Sequence, residues 1–544
     1  MSTFINSTET LVKQIVENCL MCFNLKEIPT SGGGRILLRD DWNPDDGKVA
    51  ILSGGGSGHE PAHVGFIGPG MLTGTVQGEL FASPSVSAIE AAIEAVNPKA
   101  GCILVVKNYT GDRLNFGLAA ERAKAKGYKV EIVLVGDDVA LPGVSQPRGL
   151  AGTVLIHKIC GHYSEQGKPL EEIVDLARKA ASELRTIGLS LGLAHVPGKT
   201  REKTQPALGL GIHNEPGARK IEVNGAEDAV SQALAAMLPE DVSKRSDQYV
   251  LLVNDLGGCS PQERQLICRA ALLQLGLNHI AGLIGPKVLM SALDMHGFSL
   301  TLLPAHDEYM EALKAPSAAP AWSPMHPVHK PRREAQTVDK PEAPTTNVSH
   351  NEKIEKAIRA VAKVLLDSAD ELDDLDAFSG DGDAGSTFAG AGRGLNKALD
   401  KGNLPTADAT AFCHRMAQVV EHSMGGSSGI LLSLLFTGAE HGLAKGESLA
   451  KGLATGIEKM QHYGGAKAGD RTMLDALIPA IDALAEGGSL ADAAKAARKG
   501  ADATAQMLAK AGRAALVPKE DQLGHSDPGA EAIARVFETL AANV

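Results

Sequence analysis

Residues 315–350, "APSAAPAWSPMHPVHKPRREAQTVDKPEAPTTNVSH", carry no sustained apolar period that a core could bury. A structureless loop of that length inside one compact domain is uncommon, and its Pro-rich, polar composition suits an extended, semi-rigid linker. Two domains are therefore expected, residues 1–314 and 351–544, joined by residues 315–350. The patterns on the two sides differ. Before the linker, β-branched runs alternate with helical stretches: "KVAIL" (48–52), "CILVVK" (102–107), "KVEIVLV" (129–135), "YVLLVN" (249–254) and "LTLL" (300–303), with "SVSAIEAAIEAV" and "LNFGLAAERAKAKG" between the first three. This alternation predicts an α/β half with largely parallel strands. After the linker, Ile354, Ile358, Val361, Leu365 and Leu372 recur at helical spacing, and segments 406–422, 429–442, 472–485 and 489–511 are rich in Ala, Leu and Lys. The second half is expected to be all-helical.

With 544 residues and 44% hydrophobic content, the chain has material for well-formed cores. Its formal charge of -12 opposes a broad nucleic-acid or membrane surface, either of which needs a basic face. Small-molecule chemistry is expected, with neither nucleic acid nor membrane as partner. The opening residues lack the basic start, apolar run and cleavage site of a signal peptide, and no run of about 18 apolar residues occurs, so a cytoplasmic protein is expected. The seven cysteines form no disulfide framework. Cys19 and Cys22 make a C-x-x-C, but they continue the helix-like pattern of Leu11 and Ile15 without a second pair, which favours packing over redox or zinc chemistry.

The second half contains "DAFSGDGDAGST" (376–387), where Asp376, Asp381 and Asp383 cluster on a loop of Gly, Ser and Ala with no Lys or Arg among them. Oxygen ligands on a glycine-permitted turn suit a hard divalent cation, which offsets their mutual repulsion. An EF-hand does not fit: from Asp381 it would need a bidentate Glu near Gly392 and an Asp or Asn where Gly385 stands. Mg²⁺ held by few protein ligands completes its shell with water and phosphate oxygens, which implies a nucleotide. The three aspartates are read as following the first helix of this half, with Ser386 or Thr387 capping the next. "MGGSSG" (424–429) precedes an apolar helix and offers Ser427, Ser428 and backbone N–H groups to an anion. Arg471 in "GDRTM" and Arg513 in "GRAALV" are candidate charge partners, and "HSDPGA" (525–530) is a turn suited to closing over a base or ribose. A Walker-like spacing from Gly192 to Gly198, Lys199 and Thr200 is one residue too long, and no clear strand is read before it.

In the first half, "SGGGSGHEP" (53–61) follows a strand and delivers His59 at its carboxyl end, where open α/β sheets bind ligands. It does not match G-x-G-x-x-G, because His59 takes the final glycine position, so a dinucleotide fold is not expected. "KNYTGD" brings Lys107 and Asp112 to the same edge, where a histidine and an aspartate can serve as hydrogen-bond partner and general base for a hydroxyl. "GLGIHNEPG" (209–217) presents His213 between glycines and a Glu-Pro turn.

Taken in order, "SGGGSGHEP", "KNYTGD", "GLGIHNEPG", "LVNDLGG", "SGDGDAGST", "MGGSSGILL" and "GDRTMLDAL" resemble the ATP-dependent dihydroxyacetone kinases over nearly the whole chain apart from the linker. The resemblance implies a dihydroxyacetone-binding half of two α/β subdomains, then an all-α eight-helix barrel that binds ATP at its rim. It implies a homodimer in which the kinase half of one chain serves the substrate half of the other. His213 matches the residue that adds to the substrate carbonyl as a hemiaminal, which explains how a ketone or aldehyde such as dihydroxyacetone or glyceraldehyde is chosen over glycerol. Asp112 matches the base for the terminal hydroxyl, His59 the group that polarises the substrate, and Gly56 and Lys107 its other contacts. Asp376, Asp381 and Asp383 match the ligands of two Mg²⁺ ions. Ser386, Thr387, Ser427, Ser428, Gly464, Met473, Arg513, Asp527 and Pro528 match nucleotide contacts; Ala384 stands where some relatives have a histidine, so a base contact through that side chain is not carried over. Three alternatives follow: a kinase for a four-carbon ketose such as erythrulose, a lyase splitting FAD into cyclic riboflavin phosphate and AMP with Mn²⁺, and a triose-binding regulatory module. A further relative takes its phosphate from a phosphotransferase protein, but fusion of both halves favours free ATP.

Overall fold

The structure, a computed structural model, describes residues 4–30, 32–198, 204–238, 248–332, 349–378, 380–511, 513–518 and 522–544. It divides into two compact units, Met1–Arg333 and Glu334–Val544. Residues 315–332 belong to the first: the Ala318 N–H donates to the Pro69 carbonyl at 3.0 Å, the Ala321 N–H to Gly65 at 2.8 Å, and Trp322 is buried. Residues 333–348 of the expected linker lie outside the described residues, as do Lys199 and Thr200.

The first unit begins with α1 (Leu11–Cys22), which buries Cys19 and leaves Cys22 exposed. Its first six-stranded sheet runs in the order β1-β2-β4-β3-β5-β6, with β1 (Leu25–Ile28), β2 (Arg35–Arg39), β3 (Ala50–Ser57), β4 (Gly74–Leu80), β5 (Cys102–Lys107) and β6 (Val130–Val135). β3 pairs in parallel with β4 and β5, and β5 with β6. The unbroken apolar run of β5 follows from burial on both faces. Cys102, Leu104 and Val106 pack with α2 (Val86–Val96) and α3 (Thr110–Ala125), while Ile103 and Val105 pack with α4 (Thr153–Glu165) and α5 (Leu170–Glu183).

The second sheet runs β11-β10-β12-β7-β8-β9, with β7 (Arg185–Ser190), β8 (Ala207–Leu208), β9 (Arg219–Lys220), β10 (Tyr249–Asp255), β11 (Ile280–Lys287) and β12 (Gly297–Pro304). Its inner face shares the core of α4 and α5, and its outer face packs on α6 (Ala226–Met237) and α7 (Pro261–Leu275). The expectation of largely parallel strands needs correction here: β10 is parallel only to β11, and the other pairings are antiparallel. Residues 288–296 between β11 and β12 are too few for a crossover helix, so the chain returns antiparallel. A short helix, α8 (Asp307–Lys314), closes this region.

Among its described residues the second unit is built from helices: α9 (Glu352–Asp367), α10 (Ala369–Ala377), α11 (Ala384–Asp400), α12 (Ala409–Ser423), α13 (Gly426–Ala444), α14 (Leu449–Gly464), α15 (Leu474–Ala485), α16 (Leu490–Thr504) and α17 (Pro528–Asn543). They share one core. Glycines allow close approach between α13 and α14: a Cβ on Gly438 would sit 2.4 Å from the Gly456 Cα. Two local expectations change. Asp376 ends the second helix of this half, and the residue that caps α11 is Asp383, with Ser386 and Thr387 already inside the first turn. No helix among the described residues is long and apolar enough to cross a membrane.

Candidate active site

In the first unit the glycine run is part of β3 itself, and the strand ends by delivering His59 into the interior. β5 ends at Lys107, and Asp112 lies in the first turn of α3. Both are buried, and Gly55 lies between them: a Cβ added there would stand 3.4 Å from Asp112 Oδ2 and from Lys107 Nζ. The missing side chain leaves the Gly55 backbone close against both charged groups. Asp112 Oδ1 accepts from the Ser83 hydroxyl at 2.5 Å. Lys107 Nζ has no hydrogen-bond partner, an arrangement that a ligand oxygen would relieve. Burial lowers its pKa, with Asp112, Glu215 and Glu60 opposing that shift.

His213, 154 residues further along the chain, meets His59 at this place: the two Nε2 atoms are 3.0 Å apart. His59 Nδ1 lies 2.9 Å from the Ser291 carbonyl. Burial, with Lys107 and His213 nearby, pushes the His59 pKa well below its usual value, so the ring is neutral. The His213 ring stands edge-on to Tyr109 at 4.5 Å and to Phe81 at 5.4 Å. Phe81 holds a left-handed backbone, φ 56°, which a bulky residue adopts only under constraint. Its ring also lies 5.4 Å from His59. Gly56 accommodates this segment, since its Cβ would meet the Ala82 N at 2.7 Å. Glu215 accepts the His213 backbone N–H at 2.9 Å. Burial alone would raise the Glu215 pKa, but the neighbouring His213 and the backbone N–H bonds override it and bring it down to about 2.

In the second unit a cleft of about 620 Å³ is lined by Asp376, Asp381, Asp383, Thr387, Ser427, Ser428, Gly464, Met473, Asp527 and Pro528, all singled out from sequence, and also by Ala384 and Arg471. Asp376 Oδ2 accepts from the backbone N–H groups of Gly382 (3.0 Å) and Asp383 (3.1 Å). The three aspartates each offer an oxygen within 4.8 Å of the others. An all-oxygen, anionic donor set of this size fits a hard divalent cation such as Mg²⁺. Gly380 makes the wrap possible, because a Cβ there would meet Asp376 Oδ1 at 2.2 Å. At the start of α13, Ser427 and Ser428 stand in a first turn with no side-chain cap, leaving its N–H groups for an anion.

Ser386 is not in the lining; its hydroxyl donates to Asp373 at 2.8 Å. Arg513 opens a short 3-10 turn, Arg513–Leu516, and its side chain lies outside the described residues. Arg471 is buried, with φ 58°, and its Nη2 donates to the carbonyls of Gln522 (3.2 Å) and His525 (3.0 Å). It thereby braces the turn leading to Asp527, the residue that caps α17 through the Ala530 N–H at 2.8 Å. Burial raises the Asp527 pKa to about 6, against the pull of Arg471. Phe378 stacks on His525 at 3.7 Å.

Sequence reasoning did not assign roles to Gly55, Phe81, Tyr109, Glu215 or Phe378. Glu215 and Tyr109 stood inside quoted motifs, so position in a motif was the available signal; Phe81 had none.

A Dak1 domain matches residues 20–321 and a DAK2 domain residues 379–542. The chain is 41% identical to a dihydroxyacetone kinase of Citrobacter freundii, over 99% of this chain and 98% of that protein. It is 40% identical to the triokinase/FMN cyclase of Rattus norvegicus, over 93% of each. Among solved structures it is similar to the dihydroxyacetone kinase from C. freundii in complex with AMP-PNP and Mg²⁺, with a TM-score of 0.80, 40% identity and 100% of both chains covered. Fold, site and likeness together define a two-domain phosphotransferase. The chain belongs to the dihydroxyacetone kinase family.

Proposed function

We propose that the protein transfers the γ-phosphoryl group of ATP to a terminal hydroxyl of dihydroxyacetone and of glyceraldehyde. The observation that carries this is the buried Lys107 Nζ without a hydrogen-bond partner, gathered with buried Asp112 around Gly55. Asp112 accepts the proton of the attacking hydroxyl, Lys107 and the backbone at Gly56 hold substrate oxygens, and His59 polarises the carbonyl. His213 adds to that carbonyl through Nε2, so a hemiaminal holds the substrate. Ser386, Thr387, Ser427, Ser428, Gly464, Met473, Arg513, Asp527 and Pro528 hold the nucleotide. Asp376, Asp381 and Asp383 hold two Mg²⁺ ions, which when bound neutralise charge on the transferring phosphates. Little covalent work on phosphorus remains, so the residues serve mainly to align donor and acceptor.

Eight helices close into a barrel in this account: α9, α11, α12, α13, α14, α15, α16 and α17 each neighbour the next, and α17 returns to α9. The protein is taken to act as a homodimer, which sedimentation equilibrium tests. The functional test is ADP release with dihydroxyacetone, glyceraldehyde, both erythruloses and glycerol. Turnover is expected with the trioses and none with glycerol; equal use of glycerol overturns the proposal. His213→Ala is expected to raise the KM for triose and erode the preference over glycerol.

A second activity is favoured by one observation, the 40% identity to a triokinase/FMN cyclase. Incubation with FAD and Mn²⁺ in the absence of triose is expected to release AMP if the cleft also cleaves FAD; no AMP above the level of an Asp383→Ala control rejects it.

A further inference from the structure

We propose that Glu215 is a positioning residue that keeps a proton on Nδ1 of His213, so that Nε2 is the ring atom that adds to a carbonyl. The inference rests on the covalent role given to His213 above and deepens it. It follows from counting protons along one line of side chains. The Ser291 carbonyl can only accept, and His59 Nδ1 lies 2.9 Å from it, so that nitrogen carries the proton. His59 is fully buried, which favours the neutral ring and leaves a lone pair on its Nε2. That lone pair is 3.0 Å from His213 Nε2, and a contact this short between two ring nitrogens needs a proton on one of them. The proton is on His213.

With Nε2 protonated, His213 Nδ1 must either carry a second proton or turn a lone pair toward a carboxylate. Nδ1 is 3.4 Å from Glu215 Oε1, an ion-pair separation, and makes no hydrogen bond in the resting arrangement. The other oxygen, Oε2, is tied to the His213 backbone N–H at 2.9 Å, which fixes the carboxylate beside the ring. Gly211 leaves space for it, since a Cβ there would overlap Glu215 Oε2 at 2.0 Å. The Glu215 carboxylate therefore stands on the Nδ1 side of the His213 ring and His59 Nε2 on the other.

Addition then needs no outside acid or base. The Nε2 proton of His213 passes to Nε2 of His59; the freed lone pair bonds to the carbonyl carbon; the π pair of the carbonyl moves to oxygen; and His59 returns the proton to that oxygen. The adduct is a hemiaminal hydroxyl on a ring that is alkylated at Nε2, protonated at Nδ1, cationic and paired with Glu215. Protons and electrons balance, so the step reverses to release product.

The test uses full-length protein with ¹⁵N-labelled histidine and dihydroxyacetone labelled with ¹³C at the carbonyl. In the wild type, the carbon resonance moves from a ketone to a hemiaminal position and His213 keeps its Nδ1 proton. Glu215→Gln retains an acceptor for the His213 N–H but removes the charge. It is expected to lose the Nδ1 proton signal and to raise the KM for dihydroxyacetone by about 10- to 100-fold, the loss of one charge-assisted contact, with kcat less affected and the KM for ATP unchanged. Glu215→Asp is expected to restore the Nδ1 signal and part of the affinity, and it carries the test alone if the Gln variant does not fold. A Gln variant with wild-type adduct and KM, or an Asp variant as impaired as Gln, overturns the role of Glu215. Absence of the hemiaminal signal in the wild type overturns the covalent role of His213 instead.

Discussion

In the first unit His59 and Lys107 are fully enclosed and Asp112 is 2% exposed, whereas in the second unit Asp381 and Asp383 stand exposed at the rim of an open cleft. Both places gather charge, and the ligands proposed for them account for the difference in burial. A small uncharged polyol with a carbonyl brings no charge of its own, so its site must supply charged groups and keep water away from them, where each contact is worth more. A nucleotide with hydrated cations brings a large charge and its own solvent, so carboxylates that meet it can wait in water at little cost. On the proposed function, enclosure suits the substrate that must be selected, and openness the donor that must come and go.

Substitutions on the two sides should separate these roles. The largest expected effect is Asp383→Ala: kcat falls roughly 1,000- to 10,000-fold through lost charge neutralisation, while the melting temperature stays near wild type because the side chain is exposed. Unchanged turnover would break the comparison at its open side. Next is Asp112→Asn, which keeps the shape and the bond from Ser83; kcat drops by about 100- to 1,000-fold with ATP affinity intact, as expected for a lost general base. Gly55→Ala fills the space between Lys107 and Asp112 at a position with φ 146°. Its KM for dihydroxyacetone should rise by roughly tenfold while ATP binding, read by calorimetry, is unaffected.

The smallest effect on activity is expected at a buried cation away from either site. Lys158 Nζ donates to the Ala312 carbonyl at 2.7 Å, and burial lowers its pKa to about 8. Between pH 8 and the unfolded value of 10.5 the unfolded chain binds more protons than the native one, so this group adds stability as pH rises through that window. Lys158→Met should remove that slope from unfolding curves, a change of no more than about 3 kcal/mol across the window, with little change in kcat.

The fold was legible where pattern alone decides. "CILVVK" reads as a strand buried on both faces, and the helical half follows from its Ala- and Leu-rich periods. The aspartate trio was legible because carboxylates on a glycine loop have little use in packing. The sheet directions were not, since a run such as "LTLL" carries no record of which way its neighbour points. Nor was the cap of α11: Asp383 takes that place because α10 brings Asp376 beneath the Gly382 and Asp383 N–H groups.

By itself, the sequence determined the two halves, the residue types at each site and the family they mark, because these depend on local periodicity and on the chemistry a side chain carries anywhere. Only the tertiary structure decided that His59 Nδ1 faces the Ser291 carbonyl, that Glu215 faces Nδ1 of His213, and that Gly55 lies between Lys107 and Asp112. Those facts depend on the approach of segments up to 232 residues apart, and a proton's place is fixed by distance and direction, which composition does not encode.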